Sequence, residues 1–204
     1  MSKQIVPTVL VEQFDIQKVE IPIIGIAPLV VHRFGGKSIK MIQDKQGKKA
    51  SKGKEKRDPE KEYLDSRHMI DDKRTGFPAS GFKKALVRGA KYTGLVMTDV
   101  RANLFVEADD VEKNLVEIKG KYRMRTDHVR IGQGTTDLRY RPEYLEWECV
   151  LTISFNKNVL SLDQIFTMVH AAGYGCGIGE NRPERGGDWG RFALKDLVNK
   201  DRAA

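Results

Sequence analysis

An α+β fold with an antiparallel sheet is what this 204-residue sequence predicts, on three observations. Apolar, β-branched runs stand at residues 18–34 and 145–155. A helical pattern of period 3.6 follows each of them, at 80–93 and from 162 onward. Each helix is followed in turn by a shorter strand pattern, at 101–108 and 190–194. The order is strand, helix, strand, strand, helix, strand.

The first run, KVEIPIIGIAPLVVHRF from Lys18 to Phe34, breaks at Ala27-Pro28 and reads as one strand or two in succession. Residues 37–74 then hold thirteen Lys or Arg against eight Asp or Glu. Only five large aliphatic or aromatic side chains (Ile39, Met41, Ile42, Tyr63, Leu64) precede Met69 there. So little apolar area does not offset the entropy of ordering, and the stretch reads as a long, charged, flexible insertion. The core resumes at Thr75-Gly-Phe-Pro, with Ser80 placed to cap a helix reaching about Thr93. Phe82, Ala85, Leu86 and Gly89 form its inward stripe, while Lys84, Arg88 and Lys91 share another face at i, i+4 and i+7. A strand is expected over Arg101–Ala108 and a short one over 115–119, followed by a basic loop at 120–142. Trp147, Cys149, Leu151, Ile153 and Phe155 alternate along the next strand. Ser161-Leu-Asp-Gln164 is a capping box, opening a helix with Leu162, Ile165, Phe166 and Val169 on one face. A Gly-rich segment and a polar turn lead to the last strand, Gly190–Leu194.

This βαββαβ order is that of ferredoxin-like and RRM-like cores, whose sheet keeps one face free of helices and suited to binding. The whole chain, 1–204, reads as a single domain. Its formal charge is +8 and its pI about 9.4, so a polyanion, nucleic acid first among them, is the expected partner. The start MSKQIVPTVLVEQFD lacks the pattern of a signal peptide, and no apolar run approaches ~18 residues, so a cytoplasmic protein is expected. Cys149 and Cys176 form no C-x-x-C pair, and His32, His68, His128 and His170 have no metal-ligand spacing. Neither a metal nor a cofactor is expected. His170, near the end of its helix, reads as a half-buried, satisfied histidine.

Three segments resemble the RAMP superfamily, which builds the guide-RNA backbone of CRISPR effector complexes. Pro28-Leu29 closes the first strand run ahead of the charged insertion, where the family has a thumb. Pro78-Ala-Ser-Gly-Phe-Lys-Lys-Ala-Leu86 is similar to the family's Pro-Gly-Ser-Ser-Leu-Lys-Gly-Ala-Leu-Arg. Pro78, Ser80, Lys83, Ala85 and Leu86 match; Ala79, Gly81 and Lys84 depart, and the arginine falls one residue late at Arg88. The third segment runs from Gly173 to Phe192 and ends Gly190-Arg191-Phe192. The resemblance covers about residues 18–195 and extends to stand-alone and virus-encoded relatives. It implies single-stranded nucleic acid, RNA favoured, lying along the sheet and first helix. It also implies copies stacking head to tail into a filament, with other CRISPR effector subunits as further partners and a role in antiviral defence.

On this reading Lys83, Lys84, Arg88 and Lys91 hold phosphates. Arg123, Arg125, Arg130, Arg139 and Arg141, beside Tyr122, Tyr140 and Tyr144, close over the strand as cations interleaved with aromatics. Gly173, Gly175, Gly177, Gly179, Gly186, Gly187 and Gly190 permit close approach to phosphates or to a neighbouring subunit, with Arg182, Arg185 and Arg191 supplying charge. Gly175-Cys-Gly-Ile-Gly179 is not the G-x-G-x-x-G of a dinucleotide site, and it follows a helix rather than a strand. A viral single-stranded DNA-binding or annealing protein would share nearly all these features. A metal-independent endoribonuclease would need His32 or Asp44 as acid or base, and no second catalytic partner is visible in the sequence. A protein mimicking a CRISPR subunit would keep the Gly-rich loop without binding nucleic acid. Binding and assembly, rather than catalysis, is the expected role.

Overall fold

A computed structural model describes residues 13–35, 57–131 and 134–198, with positions 43, 46 and 47. In chain order its elements are β1 (Ile16–Gly25), β2 (Leu29–Val30), α1 (Pro59–Asp65), β3 (Thr75–Pro78) and α2 (Ala79–Gly89). There follow α3 (Met97–Asn103), β4 (Leu104–Glu107), β5 (Leu115–Ile118), β6 (Tyr122–Ile131) and β7 (Thr135–Tyr144). β8 (Glu148–Asn156), α4 (Leu162–Gly175) and β9 (Phe192–Leu194) complete the described chain. Short 3-10 turns stand at Ala90–Tyr92 and Pro183–Arg185.

Period-two burial builds the central sheet. Ile21 and Ile23 of β1 are fully buried, whereas Lys18, Glu20 and Pro22 between and beside them are exposed. β8 runs antiparallel to β1 from Ile16↔Asn156 to Ile24↔Glu148 and buries Cys149, Leu151, Ile153 and Phe155. β4 joins the far edge of β8 and β9 the far edge of β1, giving the order β4-β8-β1-β9 with every pair antiparallel. α2 lies between β1 and β4 in the chain, and α4 between β8 and β9. The core is therefore ferredoxin-like, two interleaved βαβ units of class α+β.

The two helices share the buried side of this sheet. Phe82 and Leu86 of α2 and Ile165, Met168 and Val169 of α4 are fully buried. The helices approach closely at Gly89, where a Cβ would stand 2.6 Å from the Met168 carbonyl oxygen. Both arms of the capping box at Ser161 and Gln164 are formed. The inward positions of α4 are Ile165, Met168, Val169 and Ala172; Leu162 and Phe166 fall at the margin and stay partly exposed. Ser80 does not cap α2. Pro78 occupies the cap position without a side-chain bond, and Ser80 is the second helical residue. Arg101 to Asn103 close α3 rather than open a strand, so β4 begins at Leu104.

Two expectations about the connections are corrected. The basic stretch at 120–142 is not a loop but a hairpin, β6 and β7 pairing from Tyr122↔Tyr144 to Ile131↔Thr135. β7 also pairs with β2, giving a second sheet, β2-β7-β6, and β3 pairs with β5 in a third. The second half of the 37–74 insertion is likewise part of the fold. α1 has an Asp58 side-chain cap, Ile70 is buried, and Ser66 is buried with its hydroxyl donating to the Tyr140 carbonyl at 3.2 Å. The insertion's first half, apart from positions 43, 46 and 47, lies outside the described residues.

Candidate nucleic-acid interface

A cleft of about 310 Å³ opens where the chain leaves β2, where α2 begins and where the Gly-rich loop folds back. Its lining includes His32, His68, Ser80, Gly81, Lys84 and the loop from Gly177 to Glu180. Local sequence explains the wall. The loop is sewn to the β1–β2 connection by the Glu180 N–H donating to the Val30 carbonyl at 2.8 Å and the Gly190 N–H to the Pro28 carbonyl at 2.7 Å. Gly179 and Gly190 have φ of +76° and +64°, and a Cβ would collide with the Val30 carbonyl and the Ile178 carbonyl respectively. Gly173, Gly177 and Gly187 also lie against the chain's own backbone, and Gly175 beside Tyr92; Gly186 alone of the seven faces open space. Packing within the chain therefore accounts for six of these glycines, two of which, Gly177 and Gly179, also line the cleft.

The floor of the cleft is the start of α2. The first turn of a helix leaves N–H groups without intrahelical partners and carries the positive end of the helix dipole. Here no side chain caps that turn, although the Asn114 carbonyl accepts from the Ala79 N–H at 3.0 Å; Ser80 and Gly81 face the cleft, and Lys84 stands one turn further on. Lys84 and Arg88 of α2 and Lys91 of the 3-10 turn that follows it are all exposed. Arg88 and Arg182 both bind Glu184, at 2.9 and 3.0 Å, which ties the stripe to the loop. Burial would push the Glu184 carboxyl up, but hydrogen bonds and charge from Arg182 and Arg88 outweigh it and hold the group below its ordinary range.

Two imidazoles flank the opening. Burial lowers His32, helped by the Arg141 charge. Burial, with smaller contributions from Arg33 and His32, lowers His68 to about 4. Both rings are therefore neutral at pH 7. Of the other histidines, His170 is exposed rather than half-buried, and His128 is exposed as well. Asp44 lies outside the described residues. No group of three or more His, Cys, Asp or Glu that could hold a metal comes together among the described residues. Cys149 and Cys176 are buried free thiols, both raised by burial. Among the described residues no helix is long and apolar enough to cross a membrane.

The remaining candidates divide sharply. Lys83 does not join the α2 stripe; its ammonium sits 3.8 Å from the ring centre of Phe105 on edge strand β4. Three hairpin arginines are occupied within the protein. Arg123 and Arg125 both bind the buried Glu143, at 2.8 and 2.5 Å, and Arg125 also binds Asp127 and lies over the Trp189 ring at 4.2 Å. Arg141 is buried, not surface-exposed, and meets Glu180 at 3.3 Å. Arg139 lies 3.4 Å from Asp137, which also binds Arg57. Arg130 and Arg185 are exposed, and Arg191 donates to the Asp188 carbonyl at 3.1 Å.

The open face of the central sheet is different again. Lys18 pairs with Glu107 at 2.8 Å and Lys195 with Glu148 at 2.6 Å, with Glu20 between the pairs. Lys119 stands opposite Glu148 as well, so three lysines and three glutamates share that face, and the one exposed aromatic on the described strands of that face is Phe105. Lys84 and Lys91, by contrast, have no acidic partner among the described residues, whereas Arg88 shares Glu184 with Arg182. Sequence reasoning overlooked His68 as a site residue because it lies in the segment read as flexible.

No protein-family model matches the sequence, and no curated protein does. Among solved structures, the chain is similar to the crystal structure of Cmr6 from Pyrococcus furiosus. The alignment covers 89% of this chain and 100% of that one, at a TM-score of 0.42 and 10% sequence identity.

Proposed function

We propose that this chain binds single-stranded nucleic acid, RNA in preference, as a RAMP-type backbone subunit whose copies line up along the strand. The observation that carries the reading is a convergence. Pro78–Ala85 and the Gly-rich loop, distant in sequence, line one cleft, with Pro28 holding the loop from behind, and its floor is a helix start without a side-chain cap, continued by a basic stripe. Such a floor suits a phosphate backbone, which N–H groups, Lys84 and Arg88 hold without reading base edges. Fluorescence anisotropy with mixed-sequence oligomers tests this. Log affinity falls with log salt by ~0.7 per phosphate neutralised and varies little with base sequence. A flat salt response, or no binding at low salt, contradicts the proposal. Head-to-tail assembly is a heterologous contact, so mass photometry should show species that grow with oligomer length.

One observation favours a second reading, a metal-independent endoribonuclease. His32 and His68 line the same cleft, so the partner invisible in sequence has a candidate. Both rings are neutral at pH 7, which supplies a base but leaves the acid dependent on a proton drawn in by bound phosphate. End-labelled RNA incubated with chelator separates the readings. Binding alone leaves the strand intact, whereas products abolished by both His32→Ala and His68→Ala establish cleavage.

A further inference from the structure

Two tyrosines that belong neither to the core nor to the cleft stand largely clear of the protein. Tyr92, in the 3-10 turn that ends α2, is 67% exposed, and Tyr174, in the last turn of α4, is 68% exposed. They share one corner, since the Tyr92 hydroxyl lies 3.2 Å from where a Cβ on Gly175 would stand, the residue after Tyr174. Single exposed aromatics are ordinary and need no explanation. This pair is placed at the end of a track. Lys84 lines the cleft, Arg88 follows one turn later, and Lys91 immediately precedes Tyr92, over roughly 10 Å of helix rise.

We propose that this corner is a base-stacking site, in which nucleobases of a strand held by Lys84, Arg88 and Lys91 lie on the rings of Tyr92 and Tyr174. The inference rests on the nucleic-acid reading above and adds to it a contact with the bases. Exposed aromatic faces next to backbone-neutralising cations are the combination that holds single strands without sequence preference, because every base has a π face. The cations also argue against a second copy of this chain as the occupant. A two-fold contact centred on the tyrosines would bring Lys91, which has no acidic partner among the described residues, against its own copy.

The test compares oligouridine with an abasic strand of the same length, using the full chain and anisotropy at fixed low salt. The parent binds the base-bearing strand about tenfold or more tightly than the abasic one. Tyr92→Leu and Tyr174→Leu each lose about tenfold on oligouridine and nothing on the abasic strand, while Tyr92→Phe and Tyr174→Phe keep the parent's affinity. The stacking site is overturned if the leucine variants bind both strands as the parent does, or lose affinity equally on both. It is overturned too if the parent self-associates without nucleic acid and the leucine variants do not. Binding that persists with no difference between the strands refutes the corner but leaves the nucleic-acid reading standing. Absence of binding to either strand refutes both.

Discussion

The two sides of the ferredoxin-like core offer a strand very different surfaces. On the open face of the sheet, lysines and glutamates balance: Lys18 pairs with Glu107 and Lys195 with Glu148, and Glu20 and Lys119 complete three of each sign. On the side where α2 begins, Lys84 and Lys91 are exposed with no acidic partner among the described residues, beside Arg88 and Arg182, which share the single carboxylate of Glu184. Net charge therefore does not locate a binding surface. The pairing of each charge does, because a phosphate must compete with any carboxylate already in place.

The largest expected effect concerns the wall of the cleft. Gly190→Ala meets the Ile178 carbonyl and forces alanine to a φ of +64°, so it should cost about 3 kcal/mol of stability and loosen the loop that lies on Pro28. Pro22→Ala, on the exposed side of β1, should change stability by less than about 1 kcal/mol. Chemical denaturation of both variants measures the contrast, and equal losses would erase it.

Charge reversal is next in size. Lys84→Glu with Lys91→Glu removes at least two phosphate contacts, which should weaken single-strand binding about twentyfold or more at 0.1 M salt and flatten the salt slope by about 1.4. The matching pair on the open face, Lys18→Glu with Lys195→Glu, should shift affinity by less than about twofold. A larger loss for the sheet pair than for the α2 pair would invert the comparison.

Acidity gives a smaller effect, also confined to the cleft. His68 is depressed to about 4 by burial, so the unfolded chain takes up the proton first. Stability should thus be full above the ordinary histidine range, near 6.5, and be lost as pH falls from there toward 4. Bound phosphates act in the opposite direction on the imidazoles, so strand affinity should rise about threefold between pH 7.5 and pH 5.5. His68→Gln should flatten both profiles. Melting and anisotropy titrations across that window check the two signs.

The order of the core elements was legible because their apolar periods are strong: Ile21 and Ile23 in β1, Cys149 to Phe155 in β8, and the capping box before α4. The hairpin was not. Tyr122 to Tyr144 alternates polar with polar, since Arg123, Asp127, Arg139 and Glu143 occupy strand positions that usually carry apolar residues, so no period-two signal emerges. The acids that hold its arginines were in plain view in the same stretch, but only pairing across the strands reveals which arginines they occupy. Residues 57–74 were misread for a related reason. Ile70 is the one buried apolar side chain there, and hydrogen bonds from Ser66 to the Tyr140 carbonyl and from Lys113 to the Ile70 carbonyl complete the anchoring. Composition does not register contacts of that kind.

The central claim is that a strand follows the α2 side of the core and not the open sheet. Photocrosslinking a 4-thiouridine-substituted strand, with the crosslinked peptides mapped by mass spectrometry, tests it directly. The account predicts crosslinks within residues 80–92 and 174–187, around the cleft, the basic stripe and the tyrosine corner. Crosslinks concentrated on residues 16–24, 105–107 and 148–154, the open face of the sheet, would contradict it.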